Sequence, residues 1–136
     1  MKAIFLDGSP KYKDSNSLYI LNGLAEKLSL HCEITWADAR RSEVGNIAAA
    51  ISTSDVVVIG SPLYVDSIPS HLLDFLEQIA QSLPRRHHNT HIYTIVNGFY
   101  DASQNHIAIK MAKIWCERCK FIWGQEMAAG AGDGAA

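Results

Sequence analysis

At 136 residues, with 48% hydrophobic and 19% charged side chains, the chain has the size and composition of one globular domain, residues 1–136, with a real core. A formal net charge of −2 gives no bulk attraction to nucleic acid or to an anionic membrane. No apolar stretch reaches membrane-spanning length, Met1-Lys2 leads straight into a strand, and three cysteines are an odd number; a cytoplasmic protein with reduced thiols is expected.

In chain order, Lys2 to Asp7 reads as a first strand, followed by a polar loop from Gly8 to Asp14. Ser15, Asn16 and Ser17 are N-cap candidates for a helix whose buried stripe is Leu18, Leu21, Ala25 and Leu28. His31 to Trp36 alternates as a second strand, and Val44, Ile47, Ala48 and Ile51 mark a short second helix. Val56 to Ile59 is a continuous β-branched run, the pattern of a parallel strand covered on both faces, which Gly60-Ser61-Pro62 is expected to stop. Pro69 suits a first helical turn, and Leu72, Leu73, Leu76, Ile79, Ala80 and Leu83 recur with helical spacing. Pro84 to Thr90 is a basic, His-rich connector. His91 to Val96 is strand four, ended by Asn97-Gly98, and Ser103 is placed to cap a helix with the stripe Ile107, Ala108, Met111, Ala112, Ile114 and Trp115. Lys120 to Met127 is strand five, followed by a small-residue tail from Ala128 to Ala136. Alternating strands and helices imply parallel β-α units with right-handed crossovers. The loop from Ser61 to Asp66 then lies at the carboxyl end of a central strand, where open α/β sheets bind ligands.

Several motifs offer chemistry. The first loop, Gly8 to Ser17, brings hydroxyls, an amide and backbone N–H groups to a helix start. That is a natural phosphate site or, equally, a polar loop that only caps its helix. Asp7-Gly8-Ser9 resembles the opening of a haloacid-dehalogenase-type phosphatase, but the nucleophilic Asp would have to stand where Phe5 is, so that chemistry is excluded. Gly130 to Ala135 matches a dinucleotide fingerprint with no room for the helix it requires. His87, His88 and His91 lack companion ligands and read as a solvated connector. Cys116 and Cys119 fall near the end of a helix, away from the N-terminal position that activates a redox thiol, and read as core. Trp36, Trp115 and Trp123 read as packing residues; Tyr64 alone among these aromatics sits in a strand-end loop.

Taken together, Gly8-Ser9-Pro10-Lys11 with Ser15-Asn16-Ser17, Ser61-Pro62-Leu63-Tyr64 and Asn97-Gly98-Phe99-Tyr100 resemble the loops of the flavodoxin-like NAD(P)H-dependent FMN reductases, in order and on the right elements. The resemblance implies a doubly wound parallel sheet, strand order 2-1-3-4-5, that binds FMN. Ser9, Lys11, Ser15, Asn16 and Ser17 would hold the phosphate. Pro62, Leu63, Tyr64 and Val65 would hold the isoalloxazine ring, and Asn97, Gly98, Phe99 and Tyr100 its pyrimidine end. NAD(P)H would be the reductant, passing hydride to flavin N5. A quinone, a flavin or a nitro or azo compound would be the acceptor, and no acid–base side chain would be essential. Two departures stand out: the helix the family carries after strand five is absent, and Lys13-Asp14 shifts the register of the first loop.

The rival expectations are a flavodoxin-type electron carrier and a flavin-free α/β interaction domain. Near-neutral charge and the lack of a T-x-T-G-x-T loop count against the carrier. Without a final helix, the sheet face near Phe121 and Trp123 is expected to be apolar and open, covered in a homodimer or by the remainder of a longer polypeptide.

Overall fold

The computed structural model describes residues 1–8, 16–40, 42–62, 70–84, 89–98 and 106–130. Nine elements alternate: β1 (Lys2–Asp7), α1 (Asn16–Leu28), β2 (Glu33–Asp38), α2 (Val44–Ser52), β3 (Val56–Pro62), α3 (Ser70–Ser82), β4 (His91–Gly98), α4 (His106–Arg118) and β5 (Ile122–Gly130). The five strands form one sheet in the order β2-β1-β3-β4-β5, every pairing parallel, as expected.

Handedness distributes the helices. The β1-to-β2 connection runs toward one edge and the other three run the opposite way, so right-handed crossovers place α1 on one face and α2, α3 and α4 on the other. The core divides accordingly. Ala3, Phe5, Val58 and Ile95 meet Leu21 and Ala25 of α1. Ile4, Leu6, Val57, Ile59 and Ile92 meet Ile47 and Ile51 of α2, Leu72, Leu76 and Ile79 of α3, and Ala112 and Trp115 of α4. The β-branched run of β3 is thus buried on both faces. Thr90 is fully buried, and its hydroxyl donates to the Ser54 carbonyl at 2.8 Å, tying the connector before β4 to the end of α2.

Four strands have boundaries that differ from expectation. β2 starts at Glu33 because the amides of His31 and Cys32 both donate to the Leu28 carbonyl, closing the end of α1. β3 runs on through Pro62 and β4 through Gly98, since Pro62 pairs with Asn97 at the strand ends, where a missing N–H is tolerated. β5 starts at Ile122 because the amides of Cys119, Lys120 and Phe121 are spent on α4 carbonyls, with Lys120 in the left-handed region at φ 60°. It continues to Gly130, so Ala128, Ala129 and Gly130 belong to the sheet and not to a tail. Gly124 forms a bulge opposite Ile92 and Tyr93; a Cβ there would lie 2.6 Å from the Tyr93 ring.

The sheet is not open where the sequence placed the opening. Phe121 is buried against Trp115, ring centroids 5.6 Å apart, Trp123 packs on the same cluster, and the Lys113 ammonium lies 5.6 Å from the Trp123 ring. The β4-to-β5 crossover puts α4 over that side, and α1 is the described helix on the other.

Candidate functional site

β1, β3 and β4 end side by side, with Asp7 paired to Gly60 and Pro62 to Asn97. The chain leaves β1 toward one edge and β3 toward the other, which opens a crevice between their carboxyl ends, the usual ligand position in an open α/β sheet. Two glycines narrow its floor. The Gly8 amide donates to the Gly60 carbonyl at 2.8 Å, and a Cβ on Gly8 would lie 2.4 Å from Leu72 Cδ2 and 3.0 Å from that carbonyl oxygen. A Cβ on Gly60 would lie 2.7 Å from Leu21 Cδ1 on the opposite face. Each glycine lets a helix settle directly on the sheet beside the crevice.

The electrostatics at this edge favour an anion. α1, α3 and α4 all begin at the carboxyl ends of strands, and none carries an acidic residue in its first turn. The positive end of each helix dipole is thus met by no acidic side chain of its own first turn, which favours an anion there. The adjoining β2–α2 turn is closed locally: Asp38 accepts the Arg40 amide on Oδ1, and the Asp38 amide donates to Ser42 Oγ, both at 2.8 Å.

Of the residues singled out in the sequence, Asn16 and Ser17 open α1, Pro62 ends β3, and Asn97 and Gly98 end β4, all at this edge. Ser9, Lys11, Ser15, Leu63, Tyr64, Val65, Phe99 and Tyr100 lie outside the described residues, as do Ser103, Pro69, His87 and His88. Two residues at this edge were not singled out as contributors. Asp7 is only 5% exposed at the end of β1, a buried carboxylate beside the crevice, and His71 in the first turn of α3 has an enclosed Nε2 with no hydrogen-bond partner. Asp7 had a sequence signal, its place before the Gly8-Ser9 loop; His71 had none, because only the packing around α3 encloses it.

The CxxC pair lies at the other end of the sheet. Cys116 and Cys119 are buried free thiols at the close of α4. Burial, with the nearby Glu117 charge adding to it, pushes Cys116 up to about 11; burial, with Cys116 next to it, pushes Cys119 up to about 12. Both therefore stay protonated and inert at neutral pH, in keeping with a core role. Native protein treated with iodoacetamide at neutral pH is expected to take up label on half-buried Cys32 alone, and intact-mass measurement would show it; three labels on the folded chain would contradict the burial. The same shifts bear on stability. The unfolded thiols ionise near 9 and the folded ones do not, so their contribution is fully present below 9 and is lost as pH rises from there through 11 and 12. Among the described residues, no group of three or more His, Cys, Asp or Glu side chains is placed to hold a metal ion, and no helix is long and apolar enough to cross a membrane.

No protein-family model matches the chain, and no curated protein matches it in sequence. Solved structures match it in shape. The NADPH-quinone reductase of P. pentosaceus superposes with a TM-score of 0.73 at 15% identity, over 96% of this chain and 85% of that one. The flavodoxin of Streptococcus pneumoniae TIGR4 gives 0.71 at 15% identity, over 99% and 90%. The fold is flavodoxin-like. General stress protein 14 of Treponema denticola, solved in complex with FMN, gives 0.71 at 13% identity, over 98% and 88%. At such identities the flavodoxin-like match concerns architecture, and the function has to be argued from the site.

Proposed function

We propose that this flavodoxin-like protein is an FMN-dependent oxidoreductase that takes reducing equivalents from NAD(P)H and delivers them to a small-molecule acceptor such as a quinone, a flavin or a nitro or azo compound. The observation that carries the reading is the convergence, at the carboxyl ends of β1, β3 and β4, of the starts of α1, α3 and α4, none with an acidic residue in its first turn. The edge suits FMN, because the start of α1, with no acidic residue in its first turn, suits a phosphate dianion.

In this reading Ser9, Lys11, Ser15, Asn16 and Ser17 bind the phosphate. Pro62, Leu63, Tyr64 and Val65 offer a flat apolar seat for the ring. Asn97, Gly98, Phe99 and Tyr100 aim backbone amides at the pyrimidine edge, where N–H donors stabilise negative charge in the reduced state. FMN, when bound, supplies the electron-transfer chemistry that amino-acid side chains lack. The chain's own residues bind, orient and exclude water, and no side chain has to move a proton.

The decisive experiment loads the purified protein with FMN and mixes it anaerobically with NADH or NADPH. Bleaching of the flavin absorbance supports the reductase. Bound flavin that neither nucleotide bleaches, but that a partner redox protein reduces, supports a second reading, an electron carrier; the match to a flavodoxin over 99% of the chain favours it. Protein that does not bind FMN at all overturns both. Within the site, Ser15→Ala combined with Asn16→Ala is expected to raise the Kd for FMN tenfold or more, since each charge-assisted hydrogen bond is worth about 1.5–3 kcal/mol. Unchanged affinity by fluorescence-quenching titration would move the phosphate elsewhere.

A further inference from the structure

We propose that the β2 edge of the sheet binds a second copy of this chain, antiparallel strand to strand, so that two sheets join into one. Among the described residues β2 pairs with β1 on one side and with no strand on the other. The parity of the ladder tells which backbone groups of β2 face outward. The Glu33 amide donates to the Met1 carbonyl and the Ala39 amide to the Asp7 carbonyl, so Glu33, Thr35, Ala37 and Ala39 are the residues that bond to β1. Ile34, Trp36 and Asp38 aim their groups the other way. Asp38 is closed locally: its amide donates to Ser42 Oγ and its carbonyl accepts the Ser42 amide, both at 2.8 Å. The outward N–H and C=O groups of Ile34 and Trp36 remain at the middle of the strand, where each seeks a partner.

These groups are self-complementary about a two-fold axis at Thr35. Bonded residues alternate along an antiparallel pair, so Ile34 of one copy exchanges both bonds with Trp36 of the other, and Trp36 with Ile34. Every outward group of the two residues is used. Sliding either way loses this. Centring on Ile34 sets Trp36 against Cys32, whose amide already donates to Leu28, and centring on Trp36 sets Ile34 against the closed Asp38. The side chains agree with the register. Ile34 and Trp36 share the α1 face of the sheet, beside Ala3 and Phe5. Trp36, 42% exposed with its ring 5.4 Å from that of Phe5, comes to lie against Ile34 of the other copy. Glu33 falls opposite Ala37 and Asp38 opposite Cys32, so no two acidic side chains face each other across the pair.

The opposite edge is less suited. β5 carries a bulge at Gly124, which bends the strand and breaks the regular alternation of its backbone groups. β2 has no proline, lysine or bulge, the usual devices that keep sheet edges apart. Its six residues make an edge about 20 Å long, a contact smaller than the roughly 800 Å² per partner of a standard interface. The dimer is therefore weak and concentration-dependent, with a Kd of about 10–100 μM.

Thr35 provides the test, because it is exposed and only this register sets it opposite itself. Sedimentation velocity of the whole chain from about 5 to 500 μM is expected to show a monomer–dimer equilibrium. Thr35→Lys places two ammonium groups across the axis and is expected to weaken the dimer tenfold or more at an unchanged thermal midpoint. It does so although it brings the net charge of −2 closer to zero and lowers the general repulsion between copies. Thr35→Glu is expected to weaken the dimer as well. An equimolar mixture of the two variants is expected to regain a dimer at least as tight as the parent's, since Lys then faces Glu. A parent chain that stays monomeric throughout, a dimer that Thr35→Lys leaves intact, or a mixture no tighter than either variant alone would overturn the proposal. None of these readouts depends on flavin.

Discussion

Trp115→Ala is expected to lower unfolding stability by about 3–5 kcal/mol, a large share of the roughly 5–15 kcal/mol available to a domain of this kind. The indole is 2% exposed, packs against the Phe121 ring, and donates from Nε1 to the Leu76 carbonyl at 2.7 Å. It therefore joins α4, α3 and the start of β5 at one point, and truncation leaves a cavity among all three. Trp115→Phe keeps most of the apolar volume and gives up the hydrogen bond, so a smaller loss is expected. Urea denaturation checks both, read as a shift in midpoint at unchanged slope. An alanine variant within about 1 kcal/mol of the parent would mean that α4 is held by other contacts.

Gly60→Val should be nearly as damaging, for the opposite reason. Its Cβ would sit 2.7 Å from Leu21 Cδ1 and 2.8 Å from Leu21 Cγ, and Leu21 is fully buried. The strand cannot yield, being paired with β1 on one side and β4 on the other, so α1 must lift. Overpacking of this kind costs about 1–3 kcal/mol, and the two extra methyls place valine at the upper end. The clash has a named partner, which makes it testable in a cycle. Leu21→Ala alone should cost about 2–5 kcal/mol, yet the double variant should be more stable than the sum of the two losses by at least about 1 kcal/mol. Strict additivity would show that Gly60 is required for something other than the seat of Leu21.

The elements were largely legible because each carries its own periodicity. Val56 to Ile59 announces a strand buried on both sides, and the stripe from Leu72 to Ile79 announces the helix that follows; both appear as read. Boundaries were less legible because hydrogen bonds from neighbouring segments decide them. His31 and Cys32 look strand-like by alternation, but their amides are spent on Leu28, and the edge of β5 moves for the same reason at Cys119 to Phe121. At the candidate site, Asn16, Ser17, Pro62, Asn97 and Gly98 were legible as strand-end and helix-start residues. Gly8 was legible as a turn but not as the point where Leu72 of α3 descends onto the sheet.

Sequence alone determined the alternation of strands and helices, the parallel sheet that this alternation requires, and the clustering of hydroxyls, amides and aromatics in the loops after strands one, three and four. These follow from local spacing and from the chemistry of single residues. Only the tertiary structure decided which face of the sheet each helix covers. Phe121 and Trp123 are apolar in either case; the right-handed crossover into β5 is what lays α4 over them and leaves α1 as the described helix of the opposite face. Handedness acts on the path of the whole chain and leaves no trace in the periodicity of any one segment.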